Sequence, residues 1–270
     1  MTNHNKKPII VAEAATNHGG SLSVAMEMID AAKEAGADFV KFQSWQVVTM
    51  NMNNPAYEIM KLKELNNDDH LKLIDYAKRK EIGFLTTCFD IGRVNFLASL
   101  GLDSIKIAST DVTSISMLKA VRKAFKKVIL STGMSNPQEV ANAVEVLKEG
   151  DFTLLHCVSL YPTPPEKANL CRIHWLKQFT DNVGYSDHTL GTEASKIAIS
   201  MGACCIEKHF TLKRDPNNIF SAMSALPADI REICDWAKKY SLYFGSKNGE
   251  MNPEEEEARK QFIGRWGNNA

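Results

Sequence analysis

Two histidines near the end of the chain carry the first chemical signal. His188 closes Val183-Gly184-Tyr185-Ser186-Asp187-His188, and His209 closes Cys204-Cys205-Ile206-Glu207-Lys208-His209, with an amphipathic run from Thr192 to Met201 between them. Each flanking segment is short and apolar enough to be a buried strand, so the unit reads as strand, helix, strand. If the two strands are parallel neighbours, both histidines lie at the sheet edge where α/β folds place their chemistry. Side chains alternate along a strand, so Ser186 and His188 share one face and Glu207 and His209 share another, while Asp187 and Lys208 point the other way. Two imidazoles so placed suit a divalent metal with positions open for water or substrate; taken singly, each is also compatible with a packed structural histidine.

Further charges recur at strand-like positions: Glu13, Lys41, Lys106, Glu207 and Lys208, with Ser109, Ser131, Ser159 and Ser186 nearby. In an apolar barrel such groups are either paired structural residues or a site. Two lysines and several hydroxyls converging on one mouth suit a phosphate and a carboxylate, which ammonium and O–H or N–H donors both stabilise.

The elements that must position these groups follow from periodicity. Apolar, β-branched runs beginning at Pro8, Phe39, Gly83, Ser104, Lys127, Phe152, Val183 and Cys204 alternate with helical patterns, which predicts a (β/α)8 TIM barrel, with a doubly wound open sheet as the alternative. Ser21 is placed to cap the first helix, Asp68 to start a later one, and Asn136-Pro137-Gln138-Glu139 is a helix-start signature. Gly36, Gly101 and Gly202 recur just before strands, where a helix C-cap lets the chain turn back. Pro162, Pro164 and Pro165 predict a stiff irregular loop, and Asn169 to Phe179 a helix. These elements fill residues 1–245 as one catalytic domain. Residues 246–270 are polar, carry Glu254 to Glu257, and read as a helical extension or tail whose Phe262 and Trp266 could dock on the barrel or on another subunit.

Composition narrows the class. The 270 residues hold 32 Lys plus Arg against 32 Asp plus Glu, so no overall charge points to nucleic acid or an anionic membrane. No run approaches the roughly 20 apolar residues of a membrane span. The apolar run after Lys7 is broken by Glu13 and is too short for a signal segment. Six cysteines without metal-finger spacing read as buried thiols in a reducing cytoplasm.

The strings Ala12-Glu-Ala-Ala-Thr-Asn-His-Gly-Gly20, Glu34-Ala-Gly-Ala-Asp-Phe-Val-Lys-Phe-Gln43, Lys106-Ile-Ala-Ser109, Ile129-Leu-Ser-Thr-Gly-Met134, Leu155-His-Cys157, Tyr161-Pro-Thr-Pro164, Tyr185-Ser-Asp-His-Thr189 and Glu207-Lys-His-Phe-Thr211 resemble the sialic acid synthase family, in order, over about residues 8 to 245. The resemblance implies condensation of phosphoenolpyruvate with an aldose to a 2-keto-3-deoxy sugar acid, with a Mn²⁺-type ion, Mg²⁺ or Co²⁺ being alternatives. It implies metal on His188 and His209, and phosphoenolpyruvate on Lys41, Thr87, Lys106, Ser109, Ser131 and Ser186. Gln43, Tyr161 and Asp111 would face the sugar, and Glu13, with the two histidines, would be catalytic by positioning the aldehyde or water.

The departures lie on the acceptor side. Asp111 stands where the family usually has Glu, Ser159 where it has Asn, and Asn217-Asn218 where it has an acidic residue; the loop from Ser44 to Tyr57 looks shorter. Family members usually carry a C-terminal antifreeze-like domain that reaches the partner's sugar site in a dimer, and this chain stops near where it would begin. The resemblance therefore implies a homodimer, with a separate antifreeze-like protein as a further candidate partner. A class I aldolase using Lys41 or Lys106 as Schiff base, and a non-catalytic barrel subunit, stay open beside it.

Overall fold

The computed structural model describes residues 7–245 and 249–267. Eight parallel strands close on themselves in sequence order: β1 (Ile9–Ala15), β2 (Phe39–Ser44), β3 (Gly83–Cys88), β4 (Ser104–Ile107), β5 (Lys127–Ser131), β6 (Asp151–Cys157), β7 (Val183–Asp187) and β8 (Cys205–His209), with β8 pairing back to β1. The open sheet is excluded, since closure leaves no edge. Around the strands run α1 (Leu22–Ala35), α2 (Tyr57–Leu62), α3 (Asn67–Arg79), α4 (Val94–Ser99), α5 (Ile115–Ala124), α6 (Pro137–Leu147), α7 (Arg172–Leu176), α8 (Glu193–Ser200), α9 (Ile219–Met223) and α10 (Pro227–Tyr243).

Local chemistry sets these boundaries. Ser21 accepts from the Val24 N–H to start α1, and Gly36, at φ 90°, ends it. Gly101 and Gly202 take the same left-handed conformation. Asn136 and Glu139 form a reciprocal capping box on α6. The helix expected to begin at Asp68 is instead capped by Asn66, which forms its own box with Asp69. α7 is shorter than the expected Asn169–Phe179 segment, and the proline-rich loop includes a 3-10 turn at Pro165–Lys167.

The core lies between strands and helices, where Ile10, Val40, Ile105, Leu130, Leu154 and Ile206 pack fully buried against Met28, Leu73, Leu118 and Ile230. A smaller cluster of Val11, Leu85, Leu155 and Cys205 fills the barrel interior below the site. Beyond the barrel, α11 (Glu256–Phe262) and every residue from 249 to 267 are exposed. Phe262 is 51% and Trp266 77% exposed, so docking on the chain's own barrel is not made; residues 246–248 and 268–270 lie outside the described residues. Among the described residues, no helix is long and apolar enough to cross a membrane.

Candidate active site

The strand register assembles the site. Glu13 is paired with Lys41 on one side and with His209 on the other, Gln43 with Thr87, Thr87 with Lys106, and Ser186 with Glu207. They occupy the middle and C-terminal positions of their strands on the inward face, so period-two alternation points them toward the same mouth. They line a cavity of about 370 Å³. A second cavity of similar volume opens at the other end of the barrel, lined by Val11, Leu85, Ile129 and Cys205, and contains none of these groups.

At the floor, buried charges cluster in direct contact. Lys41 Nζ lies 3.1 Å from Glu13 and 3.2 Å from Glu207 and donates to Thr87 Oγ1 at 2.9 Å. Lys106 Nζ donates to Ser131 Oγ at 2.7 Å and to the Ile107 carbonyl at 2.9 Å, with Glu207 3.9 Å away. Ser186 Oγ donates to Glu207 at 2.9 Å, and Gln43 Nε2 to Glu13 at 3.1 Å. The second carboxylate oxygens of Glu13 and Glu207 face Lys41 at ion-pair distance without a directed hydrogen bond.

Burial and neighbours drive these groups apart in acidity. Burial raises Glu13 to about 7, Lys41 pulling back and Glu207 adding to the rise. Burial opposes the charge of Glu207 as well, but Lys106 and Lys41 hold it down at about 2. Lys41 is raised: burial works against its charge, and the carboxylates of Glu13 and Glu207 outweigh it. Lys106 is lowered, because its burial exceeds the attraction of the more distant Glu207. Two ammonium groups and one firm carboxylate leave the floor positive whenever Glu13 holds a proton.

The histidines sit above this floor with ring centroids 5.3 Å apart. His188 Nδ1 lies 2.9 Å from the Val158 carbonyl and 3.7 Å from Cys157 Sγ, so Nδ1 carries the hydrogen and Nε2 is left as the acceptor. His209 is driven well below its ordinary pKa by burial and then by His188, and its buried Nδ1 has no partner. Among the described residues no group of three or more His, Cys, Asp or Glu side chains stands ready for a metal. That leaves His188 and His209 as a pair of imidazoles at the mouth, one donor fewer than the three protein ligands usual in a catalytic metal centre.

Most of the anticipated residues line the cavity: Glu13, Lys41, Gln43, Thr87, Lys106, Ser109, Ser131, Tyr161, Ser186, His188 and His209. Ser109 lies just beyond β4 in a 3-10 turn and accepts from the Gly133 N–H at 2.9 Å; a Cβ on Gly133 would crowd both Ser109 and Ser159. Tyr161 packs over His188 at 4.3 Å and edge-on to Phe220 at 5.3 Å. Asp111 is the exception. It accepts from Thr110 at 2.8 Å and Ser114 at 3.3 Å, and Ser109 and Thr110 rather than Asp111 line the cavity, because the 3-10 turn after β4 rotates it away.

Several lining residues were not singled out. Glu207 is not one of them: the sequence already marked it as a strand-borne charge of the same parity as His209, and it lines the cavity as that parity requires. Lys63, Ile59 and Met60 come from α2 and its C-cap, brought over the mouth where Gly20, at φ 86°, lets the Leu62 carbonyl approach; a Cβ there would run into it. No local pattern announces that contact.

A family model described as the NeuB family matches residues 28–249. The chain is 38% identical over 261 residues to the N,N'-diacetyllegionaminic acid synthase of Campylobacter jejuni, covering 89% of this chain and 78% of that protein. It is 31% identical over 275 residues to the pseudaminic acid synthase of Helicobacter pylori, covering 95% and 81%. The crystal structure of N-acetylneuraminic acid (sialic acid) synthetase from Leptospira borgpetersenii, in complex with citrate, superposes with a TM-score of 0.91 at 34% identity, covering 97% of this chain and 94% of that one.

Proposed function

The chain belongs to the NeuB family, and on that premise we propose that it condenses phosphoenolpyruvate with an aldose to give a 2-keto-3-deoxy sugar acid, releasing phosphate. The observation that carries the reading is the pair of buried lysines, Lys41 and Lys106, beside Ser109, Ser131 and Ser186 under His188 and His209. Such donors in a water-poor pocket suit an anion bearing both phosphate and carboxylate. The names of the similar proteins, synthases of legionaminic, pseudaminic and N-acetylneuraminic acids, support an N-acetylmannosamine-like acceptor.

In this reading the lysines and hydroxyls fix phosphoenolpyruvate so that its C3 faces the acceptor's open-chain aldehyde. C3 forms the new bond to the aldehyde carbon, whose oxygen takes up a proton. Water adds at C2 and gives up a proton, and the resulting C2 adduct collapses to the ketone as the C–O bond to phosphate breaks. Glu13, with a pKa near the working pH, holds or accepts a proton at its carboxylate, and Gln43 fixes its orientation through the bond to Oε1. Tyr161 shields the histidines from solvent.

We propose a divalent cation, Mn²⁺ by the resemblance, on His188 and His209; the unpartnered Nδ1 of His209 and the oriented ring of His188 support it. When bound, it would polarise the aldehyde as a Lewis acid. Burial disfavours the charged His188, but Cys157 and the Val158 carbonyl raise it above its ordinary value, so cation binding is coupled to proton release.

Incubation with phosphoenolpyruvate, Mn²⁺ and a panel of aldoses should release phosphate and lose activity on chelation. Silence across N-acetylmannosamine-type, hexose and pentose acceptors would overturn the reading. One observation favours a class I aldolase instead: burial lowers Lys106, as Schiff-base chemistry requires. Borohydride trapping of pyruvate on Lys106, insensitive to chelation, would select it.

A further inference from the structure

The outward faces of β7 and β8 look into the largely apolar helix layer, and there Asp187 and Lys208 stand opposite each other in register, 0% and 2% exposed. Their contacts form a closed network. The Asp187 carboxylate accepts from Lys208 Nζ at 2.9 Å, from Ser195 Oγ of α8 at 2.6 Å, from the Thr189 N–H and Oγ1 at 2.8 Å each, and from the Tyr185 hydroxyl at 3.3 Å. Lys208 donates a second bond to the Thr189 carbonyl at 2.9 Å.

A buried ion pair is a poor source of stability. Removing two charges from water costs about as much as their attraction returns, and well-packed apolar replacements are often neutral or better. The placement of this pair suggests what it does instead. Asp187 immediately precedes His188, Lys208 immediately precedes His209, and Thr189, which follows His188, is held by both its N–H and its carbonyl. His188 is therefore bracketed by two residues tied to the one that precedes His209.

We infer that Asp187 and Lys208 are positioning residues: from behind the strands, they fix the ends of β7 and β8 so that His188 and His209 stand close across the mouth, their rings 5.3 Å apart and tilted by 44°. This rests on the proposed sharing of a cation by the two imidazoles, although the placement itself can be read without metal. The pair never touches the cavity, so its effect on the site runs through the backbone.

The test is the double variant Asp187→Asn/Lys208→Met, which removes both charges and leaves neither unpaired. Its urea midpoint should stay close to the parent's, while Mn²⁺ affinity by isothermal titration falls by about 10- to 100-fold, the scale typical when support behind a metal ligand is lost. The ¹H–¹⁵N imidazole signals of His188 and His209 should shift in the metal-free protein. Lys196→Met/Glu232→Gln, which breaks an ion pair on the outer side of α8, should alter neither. Unchanged affinity with unmoved imidazole signals in the double variant would overturn the inference. If that variant does not fold, Asp187→Asn alone is read by the same two measurements. A parent protein that binds no Mn²⁺ would remove the metal reading, and the imidazole signals would then decide the positioning role alone.

Discussion

The Lys41 ammonium lies 3.1 Å from the carboxylate of Glu13, both groups all but sealed from solvent, on strand positions that pair directly. Removing one partner strands the other in a medium that cannot solvate it. Lys41→Met should destabilise the fold by about 3–5 kcal/mol, measured by urea unfolding. Glu13→Gln/Lys41→Met should recover part of that loss without recovering phosphoenolpyruvate binding, since the anion's ammonium partner is still gone.

His188→Ala and His209→Ala should each abolish Mn²⁺ binding together with phosphate release. Retention of tight metal binding by either variant would remove that histidine from the ligand set. Both should still fold, because neither imidazole belongs to the Glu13–Lys41–Glu207 array.

Gln43→Ala and Asp111→Ala separate the wall from its surroundings. Gln43 lines the cavity and orients Glu13, so its loss should raise the aldose KM about tenfold, the equivalent of one hydrogen bond of roughly 1.4 kcal/mol. Asp111 is turned toward Thr110 and Ser114 and should leave that KM within about twofold. Steady-state kinetics with varied aldose reads both.

Glu13 should place a limb near pH 7 on the rate profile that is absent in Glu13→Gln, because its folded pKa is raised from 4.5 to about 7. The same shift acts on stability. The folded state holds an extra proton between the two values, so stability is greatest below about 4.5 and falls as pH rises to about 7, by about 3 kcal/mol.

His18 works in the opposite direction. It is buried in the turn after β1, accepts from the Gly20 N–H through Nδ1, and is lowered from 6.5 to about 4 by burial and then by Lys63. Its contribution is fully present above pH 6.5 and is lost as pH falls through about 4, an acid-side loss of about 3 kcal/mol. His18→Asn keeps an acceptor for Gly20 and should flatten that acid limb in pH-dependent unfolding.

Strand-borne features were legible in the sequence because a barrel strand is local. Its alternation fixes which side chains share a face, and that sufficed to group Ser186 with His188 and Glu207 with His209 and to set Asp187 and Lys208 behind them. Helix ends with chemical signals, at Ser21, Gly36 and Asn136, were legible for the same reason. Asp111 was expected at the sugar by resemblance alone, and no strand alternation fixes its direction: it lies in the 3-10 turn after β4, facing Thr110 and Ser114 and outside the cavity lining. Lys63 and Met60 were missed because their place depends on α2 lying against Gly20, a contact across more than forty residues of chain.

The approach of α2 to Gly20 divides the cavity by origin: Lys41, Thr87, Lys106, Ser131 and Ser186 grow from the strands, whereas much of the opposite rim is supplied by Ile59, Met60, Lys63, Met134 and Phe220 on connecting segments. For protein engineering this makes the rim the natural library. Randomising those five positions should redirect which sugar is taken up while expression yield and phosphoenolpyruvate capture stay intact, and the same tolerance gives a lineage of such barrels room to change product one loop at a time.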